Sequence, residues 1–292
     1  DVERSRGLGD VYKRQLLPAD VEAAHRDFLA AATSENTRLT YRSAIRHFLA
    51  WGGILPADEN AVIRYLLAHA SSLNARTLAL RLTALSQWHL YQGFADPAST
   101  PTVRKTLKGI GRTHGRPKKQ AKALPVEDLE KIILKLDLLE PLKATRDSAP
   151  LQLGFFGGFR RSELAGLQVS DLAWEPDGLI VTLQRSKTDQ QGQGIVKAIP
   201  YGTGQCCPAT ALGDWLEAAG IRNGALFRSI NKWAMLGEQP IHPASINTIL
   251  ADCASMAGLD YVPDLSSHSL RRGMATSAYR AGADFRLSLI HI

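Results

Sequence analysis

Three short segments in the second half of the sequence carry side chains that can act on an anionic oxygen. Arg160 and Glu163 lie three residues apart in "GFRRSELAGL", so on a helix they share one face and the carboxylate can hold the guanidinium. Lys187 follows in "RSKTD", beside a predicted turn. His268 and Arg271 repeat the three-residue spacing in "SHSLRRG", behind serines that are typical helix caps.

Together these residue types fit phosphoryl transfer. Arginine forks neutralise charge on non-bridging phosphate oxygens, and histidine and lysine can move protons at the attacking and leaving oxygens. Such a site needs no metal or cofactor, and no aspartate cluster in the sequence indicates a two-metal nuclease. Taken singly, the segments are more typical of a surface ion pair, a solvated turn lysine and a capped histidine. On physical grounds Arg161 and Arg272 fit the chemistry as well as their neighbours do.

The elements around these segments are predicted to be mainly helical. "LPVEDLEKIILKLD" carries acidic residues in a first helical turn, and "APLQLGFFGGFRRSELAGL" is an apolar helix that breaks at its Gly-Gly pair. "PATALGDWLEAAG", "HPASINTILADCASMAG" and "SHSLRRGMATSAYRAG" are further helices. In "LIVTLQRSKTDQQGQGIVKAIP", apolar residues Leu179, Val181 and Leu183 alternate as in a strand that turns into a second strand. We expect residues 124–292 to form a mostly α domain with a small antiparallel β-sheet.

Residues 16–108 are predicted to form a separate, all-helical domain of four or five helices. "TSENTRLTYRSAIRHFLAWGG" begins at a Thr-Ser capping pair, and "DENAVIRYLLAHA" is a shorter amphipathic helix. "NARTLALRLTALSQWHLYQG" places Leu78, Leu82 and Leu85 inward. The apolar face predicted for the first of these helices consists of Tyr41, Ile45, Phe48 and Leu49.

The charge balance favours a polyanionic partner. The formal net charge is +7, and eight Lys and Arg residues with no acid among them lie between Val103 and Leu124. Glycines and Pro117 interrupt this stretch, so residues 109–123 are interpreted as a basic linker that follows a phosphate backbone. A solvated linker that is basic by chance is the alternative. The candidate DNA-binding residues are Arg38, Arg42, Arg76, Arg81, Lys105, Lys108, Arg112, Arg116, Lys118 and Lys119.

Composition narrows the class of protein further. Hydrophobic residues make up 45% of the chain and charged residues 22%, as in ordinary globular proteins. The three cysteines form no CxxC pair, which favours a reducing, cytoplasmic location and no zinc site. No apolar run is long enough to span a membrane. Residues 1–15 and about 287–292 lack any pattern and are interpreted as non-native ends.

The chain resembles the tyrosine recombinases of the phage-integrase family. "GFRRSELAGL" is similar to that family's first arginine box, "RSKTD" to its β-hairpin lysine and "SHSLRRG" to its H-x-x-R box, in the family's order and spacing. The helical first half resembles the SAM-like core-binding domain, and the likeness runs from about Leu17 to about Arg286. It implies a clamp around double-stranded DNA, strand cleavage and rejoining through a 3′-phosphotyrosine, a homotetramer on two synapsed sites, and no ATP.

The resemblance also implies roles for individual residues. The first arginine of each pair, Arg160 and Arg271, would clamp the scissile phosphate, with Glu163 supporting Arg160. His268 would assist proton transfer at the nucleophile. Lys187 would protonate the 5′ leaving oxygen.

The nucleophile of the family is a tyrosine some tens of residues beyond the H-x-x-R box. Only 21 residues follow Arg271, and the tyrosine among them, Tyr279, comes eight residues on, where we expect it to pack. Tyr201 and Tyr261 precede the box. We therefore expect a recombinase chain truncated before its nucleophile, which binds DNA without cleaving it. One alternative is a non-catalytic protein that occupies recombination sites. The other is a type IB topoisomerase, which the helical first domain makes less favoured.

Overall fold

The computed structural model describes five stretches of the chain, residues 33–117, 120–136, 138–184, 194–202 and 206–282. The chain divides into two compact units, Asp1–Lys118 and Lys119–Ile292. This division falls inside the segment predicted to be a linker. None of the helices in these stretches has both the length and the apolar character needed to cross a membrane.

The first unit consists of helices within the described range 33–117. They are α1 (Glu35–Ala50), α2 (Glu59–Ala68), α3 (Ala75–Gln92) and α4 (Pro101–His114). Each begins at a polar side chain that accepts a hydrogen bond from the first-turn backbone, as helix caps do; these caps are Ser34, Asp58, Asn74 and Thr100. The buried side chains form one core, with Leu78, Leu82 and Leu85 inward as predicted.

The apolar face of α1 is narrower than predicted. Phe48 is fully buried and Ile45 packs against the core, but Leu49 is 46% exposed. Ala44, one turn before Phe48, is buried instead. A residue next to Phe48 in sequence points about 100° away around the helix, which carries Leu49 out of the contact.

The predicted linker is partly wrong, because α4 continues to His114. Val103 and Ile110 are buried, and their burial outweighs the helix-weakening effect of Gly109 and Gly111. Residues 109–114 are therefore helical, and the non-helical connection begins at Gly115.

The second unit is built around six helices within its described part. They are α5 (Val126–Leu136), α6 (Pro141–Phe156), α7 (Arg161–Gly166), α8 (Pro208–Ala218), α9 (Pro243–Met256) and α10 (Ser267–Arg280). One core unites them around fully buried aromatic side chains, among them Phe159, Trp215 and Phe227. α6 runs through this core and packs against α5, α8, α9 and α10.

Two small antiparallel sheets complete the second unit. β1 (Leu172–Glu175), β2 (Gly178–Leu183) and β3 (Ile195–Pro200) form a three-stranded sheet in sequence order. The two predicted strands are confirmed as β2 and β3, with Val181 paired to Lys197, and the turn predicted between them lies outside the described residues. A second sheet of β4 (Arg228–Ile230) and β5 (Leu236–Pro240) was not predicted. The predicted class, mainly α with a small antiparallel sheet, is confirmed.

Candidate active site

Arg160 and Glu163 form a closed pair at the start of α7. Arg160 is the N-cap residue, and its Nη1 donates to Glu163 Oε1 at 2.6 Å while its backbone N–H donates to Glu163 Oε2 at 2.8 Å. The Glu163 side chain is 5% exposed and that of Arg160 is 24% exposed. Arg161, the alternative that the sequence left open, is exposed. The carboxylate thus orients Arg160.

The charge of Glu163 is secured by its partners. Burial by itself would raise the pKa of this carboxyl group. The hydrogen bonds from the Arg160 backbone and guanidinium, with the positive charges of Arg160 and Lys197, instead hold the pKa of Glu163 below its ordinary value. Glu163 is therefore a carboxylate at neutral pH, and Arg160 keeps a fixed counter-charge.

A tight turn between α6 and α7 places Arg160. Gly157 and Gly158 separate the two helices, as the sequence predicted. Gly158 has a φ of +56°, which favours glycine, and a Cβ atom there would lie 2.8 Å from Met274 Cε. Phe159, which follows the turn, is fully buried and anchors it in the core.

Arg271 reaches the same turn from α10. Its Nη1 donates to the carbonyl oxygen of Gly158. Arg271 is 7% exposed, and burial lowers the pKa of its guanidinium, with a further contribution from the charge of Arg160. Arg272 is exposed and donates to Gln120 Oε1 at 2.7 Å. The structure therefore brings together Arg160, Glu163 and Arg271, three of the five residues that the family resemblance selects.

The segment that enters the second unit is fastened along α10. The Leu124 N–H donates to the Ser269 carbonyl at 3.1 Å, and the Lys122 N–H donates to the Asp264 carbonyl just before the helix at 3.0 Å. A Cβ atom on Gly273 would lie 2.0 Å from the Leu124 carbonyl oxygen, so a larger residue cannot fit there without a backbone shift. This close packing fixes the part of α10 that carries the site arginine.

A buried lysine that the sequence analysis did not single out completes the cluster. Lys197 lies on β3 and is 8% exposed. Its Nζ donates to the carbonyl oxygens of Gly157 at 2.6 Å and Gly158 at 3.4 Å. The available signal was strand alternation, because the same inward face of β3 carries the buried Ile199.

The remaining predicted site residues have separate outcomes. His268 lies in the first turn of α10, three residues before Arg271, and is exposed. Its backbone N–H donates to the Ser266 side chain at 3.3 Å, which confirms the predicted serine cap. Lys187 lies outside the described residues, as do the DNA-binding candidates Lys118 and Lys119.

The tyrosines near the end of the sequence do not suit the role of nucleophile. Tyr279 is eight residues beyond Arg271 on α10, which separates the two by about 12 Å along the helix axis. It is 62% exposed, which places it outside the core of the second unit. Tyr261 donates its hydroxyl to Asp128, and burial together with that carboxylate raises its pKa, the opposite of activation.

Five of the ten predicted DNA-binding cations lie on two exposed helix faces of the first unit. Arg38 and Arg42 are one turn apart on α1 and are exposed. On α4 the exposed cations lie within about 100° of one another, opposite the buried residues. The exposed members of the candidate set are Arg38, Arg42, Arg76, Lys105, Lys108, Arg112 and Arg116.

Arg81 differs from the other candidates. It was expected to be available outward, but it is half-buried and its Nη1 donates to the hydroxyl of Tyr65 at 3.1 Å. Tyr65 is 1% exposed and also hydrogen-bonds His47 Nδ1 at 2.9 Å. Arg76 and Arg81 are five residues apart, so their side chains project about 140° from one another around α3. This angle explains why Arg81 is half-buried while Arg76 is exposed.

The cluster at the α6–α7 turn is suited to an anionic group. Arg271 and Lys197 both donate to the Gly158 carbonyl, and Arg160 follows two residues later with the Glu163 carboxylate bound to it. Their charge is concentrated where burial weakens screening by water, which strengthens the attraction for a phosphate. In the described stretches, no group of three or more His, Cys, Asp or Glu side chains is placed to hold a metal ion.

Comparison with known proteins identifies the family. A sequence profile of the phage integrase family matches residues 122–287. The chain belongs to the phage integrase family. An integrase/recombinase XerD homolog of Selenomonas ruminantium is 35% identical over 267 residues, covering 88% of this chain and 77% of the relative. Tyrosine recombinase XerC of Actinobacillus succinogenes is 31% identical, covering 87% of this chain and 80% of the relative. The predicted resemblance to tyrosine recombinases is confirmed.

Solved structures of integrases share this fold. A lambda integrase dimer bound to a COC′ core site superposes with a TM-score of 0.62 at 17% identity, over 93% of this chain and 89% of the other. The XerH site-specific recombinase bound to its difH substrate superposes with a TM-score of 0.59 at 19% identity, over 81% of this chain and 64% of the other. At this identity the likeness concerns the fold.

Proposed function

We propose that this phage integrase family member recombines double-stranded DNA at specific sites by strand cleavage and rejoining. The observation that carries the proposal is the convergence of Arg160 and Arg271 on the Gly158 turn, with Glu163 holding the first of them. The names of the relatives support it, since they include tyrosine recombinases and an integrase.

In the proposed mechanism, the two arginines bind the non-bridging oxygens of the scissile phosphate. They neutralise the charge that builds up as a tyrosine hydroxyl attacks phosphorus and the bond to the 5′ oxygen breaks. Neither Tyr261 nor Tyr279 is placed to supply that hydroxyl, so this chain by itself is expected to bind DNA without forming the phosphotyrosine. His268 assists proton transfer from the nucleophile, and Lys187 supplies the proton that the 5′ oxygen takes up. The product is a 3′-phosphotyrosine, which keeps the energy of the phosphodiester for rejoining.

We further propose that the exposed basic faces of α1 and α4 bind the DNA backbone. Their cations are spaced by whole turns, and phosphate contacts supply most of the affinity without reading sequence. A homotetramer on two synapsed sites remains part of the proposal, and a lambda integrase tetramer bound to a Holliday junction shares this fold. A DNA substrate agrees with a cytoplasmic location.

Strand scission by matched arginine variants tests this function. A duplex enriched from a random-sequence library by binding to the 292-residue chain serves as substrate. Hydrogen peroxide is supplied as a small nucleophile, because it can attack an activated phosphate even where no tyrosine is within reach. Arg160→Ala and Arg271→Ala should each slow scission by about 10²–10³-fold with little loss of DNA affinity. The neighbouring variants Arg161→Ala and Arg272→Ala are the controls and should stay within a few-fold of the unsubstituted chain.

The outcomes separate the competing functions. An equal loss of scission rate in all four variants would show that the arginines act only as general positive charges. That result would refute the proposed phosphate clamp. Enriched DNA that binds tightly but is never cut, with or without peroxide, would favour the non-catalytic binding protein. Relaxation of supercoiled plasmid without sequence preference would favour the topoisomerase.

A further inference from the structure

Packing alone does not explain why a lysine occupies position 197. It occupies an inward position of β3, next to the buried Ile199, where a methionine would fill the volume without burying a charge. The strand thus places an ammonium group, 8% exposed, inside the second unit. A charge in such a position requires partners that hold it.

The partners of Lys197 are the carbonyl groups that end α6. Its Nζ lies 2.6 Å from the Gly157 oxygen and 3.4 Å from the Gly158 oxygen. The carboxyl end of a helix carries partial negative charge, so a cation there is favoured. The ammonium also lies 4.5 Å from the centroid of the Phe159 ring, a further cation-binding surface.

The Gly158 carbonyl links Lys197 to the proposed phosphate clamp. It accepts from Lys197 on one side and from Arg271 Nη1 on the other. Two residues later the chain reaches Arg160, whose backbone N–H and guanidinium are both bound by Glu163. The orientation of this turn therefore sets the positions of both arginines.

We propose that Lys197 is a positioning residue, which holds the Gly157–Gly158 turn so that Arg160 and Arg271 meet the same phosphate. The proposal rests on the proposed function of those two arginines. Lys197 acts through backbone carbonyls and is distinct from Lys187, to which the family resemblance gives the proton donor's role.

The charge of Lys197 is within reach of titration. Burial lowers its pKa to about 8, and among the described groups the carboxylate of Glu163 opposes this while the charges of Arg271 and Arg160 add to it. Protonated Lys197 binds the two carbonyls more strongly than the neutral amine does. Its hold on the Gly157–Gly158 turn should therefore weaken as pH rises through 8. Arginine at this position would stay charged throughout that range.

The test compares Lys197→Met and Lys197→Arg in the peroxide-supported scission assay. Lys197→Met should slow scission at pH 7 by about 10²-fold, the loss expected when catalytic groups move by about 1 Å, while DNA affinity changes little. Lys135→Met, at an exposed lysine of the same unit, is the control for loss of one charge.

The pH profile distinguishes positioning from simple structural support. The ratio of the Lys197→Arg rate to the unsubstituted rate cancels the ionisation of peroxide at each pH. It should rise about tenfold between pH 7 and pH 9, because a group with a pKa of about 8 is then mostly neutral. A flat ratio, or a Lys197→Met rate within threefold of the unsubstituted chain, would overturn the proposal.

If the unsubstituted chain cuts no DNA, the proposed function fails and the positioning role is decided by hydrogen exchange. In the DNA-free chain, Lys197→Met should speed exchange of the Arg160 amide at least tenfold, and Lys197→Arg should restore its protection. Amides of α2 in the first unit serve as the internal control. Unchanged exchange at Arg160 in Lys197→Met would refute the positioning role.

Discussion

Replacing Glu163 with glutamine is expected to destabilise the second unit, although the two side chains have nearly the same shape. The carboxylate accepts from two donors of one residue, the Arg160 guanidinium at 2.6 Å and the Arg160 backbone N–H at 2.8 Å. Glutamine has one acceptor oxygen, so its NH₂ group must face one of these donors. At least one charge-assisted hydrogen bond is lost.

The exposure of the pair determines the size of the effect. A solvent-exposed ion pair contributes about 0–1 kcal/mol, whereas breaking a fully buried one costs about 3–5 kcal/mol. The Glu163 side chain is 5% exposed, but Arg160 at 24% can regain some water. We expect the free energy of unfolding to fall by about 2 kcal/mol, within the range for a hydrogen bond to a charged group.

Native-state hydrogen exchange of α6 amides measures this loss, because these amides lie in the core of the same unit. The folded-state pKa of Glu163 lies below its ordinary value of 4.5, so its contribution is complete above that pH and is lost as pH falls through the folded-state pKa. The difference between the unsubstituted chain and Glu163→Gln should therefore be full at pH 7 and shrink in acid. Glu217→Gln, at an exposed carboxylate on α8, is the control. A difference below about 0.5 kcal/mol at pH 7, or one that widens in acid, would refute the reasoning.

Two further predictions concern the basic face and the cysteines. On B-DNA the slope of log K against log salt is about −0.9 per phosphate contact, so Lys105→Glu with Lys108→Glu should make the slope shallower by about 1–2. The control Lys135→Glu should leave it unchanged, and salt-independent binding would contradict the proposed interface. Burial would raise the pKa of Cys207, but hydrogen bonds from Thr210 and Gly202 lower it, whereas burial raises the pKa of Cys206 to about 11 and that of Cys253 to about 12. Peptide mass spectrometry should therefore find Cys207 alkylated by iodoacetamide at least about tenfold faster than the other two, and equal rates would show that the hydrogen bonds do not activate it.

The helices of this chain were largely predictable because their ends carry local signals. Ser34 caps α1 and Ser266 caps α10, as the sequence indicated, and the Gly-Gly pair ends α6. α4 was missed in part because its two glycines and its charge are local features of a loop. Its helical state depends on burial of Val103 and Ile110 in a core that no local pattern reveals.

Prediction of the site from the sequence was limited by tertiary structure and not by missing local signals. Residue types and spacing found Arg160, Glu163 and Arg271, but one step along the chain separates each arginine from an equivalent neighbour. Which of the two points inward depends on how α7 and α10 meet the Gly158 turn, and that is a tertiary property. Lys197 was missed because a lysine in a strand next to a turn is ordinarily solvated, whereas here two carbonyl groups from a distant helix end receive it.

The attachment of residues 120–124 to α10 has a mechanical consequence. This segment is the first part of the second unit after the connection, and it is tied to α10 and the turn before it through Gln120, Lys122 and Leu124. Tension on the connection would therefore be carried into the helix that bears Arg271 before it reached the rest of the core. For protein engineering, extra residues inserted ahead of Gln120 would lengthen the connection without disturbing these hydrogen bonds. The same insertion between Lys122 and Leu124 would shift the bonded residues out of register with α10.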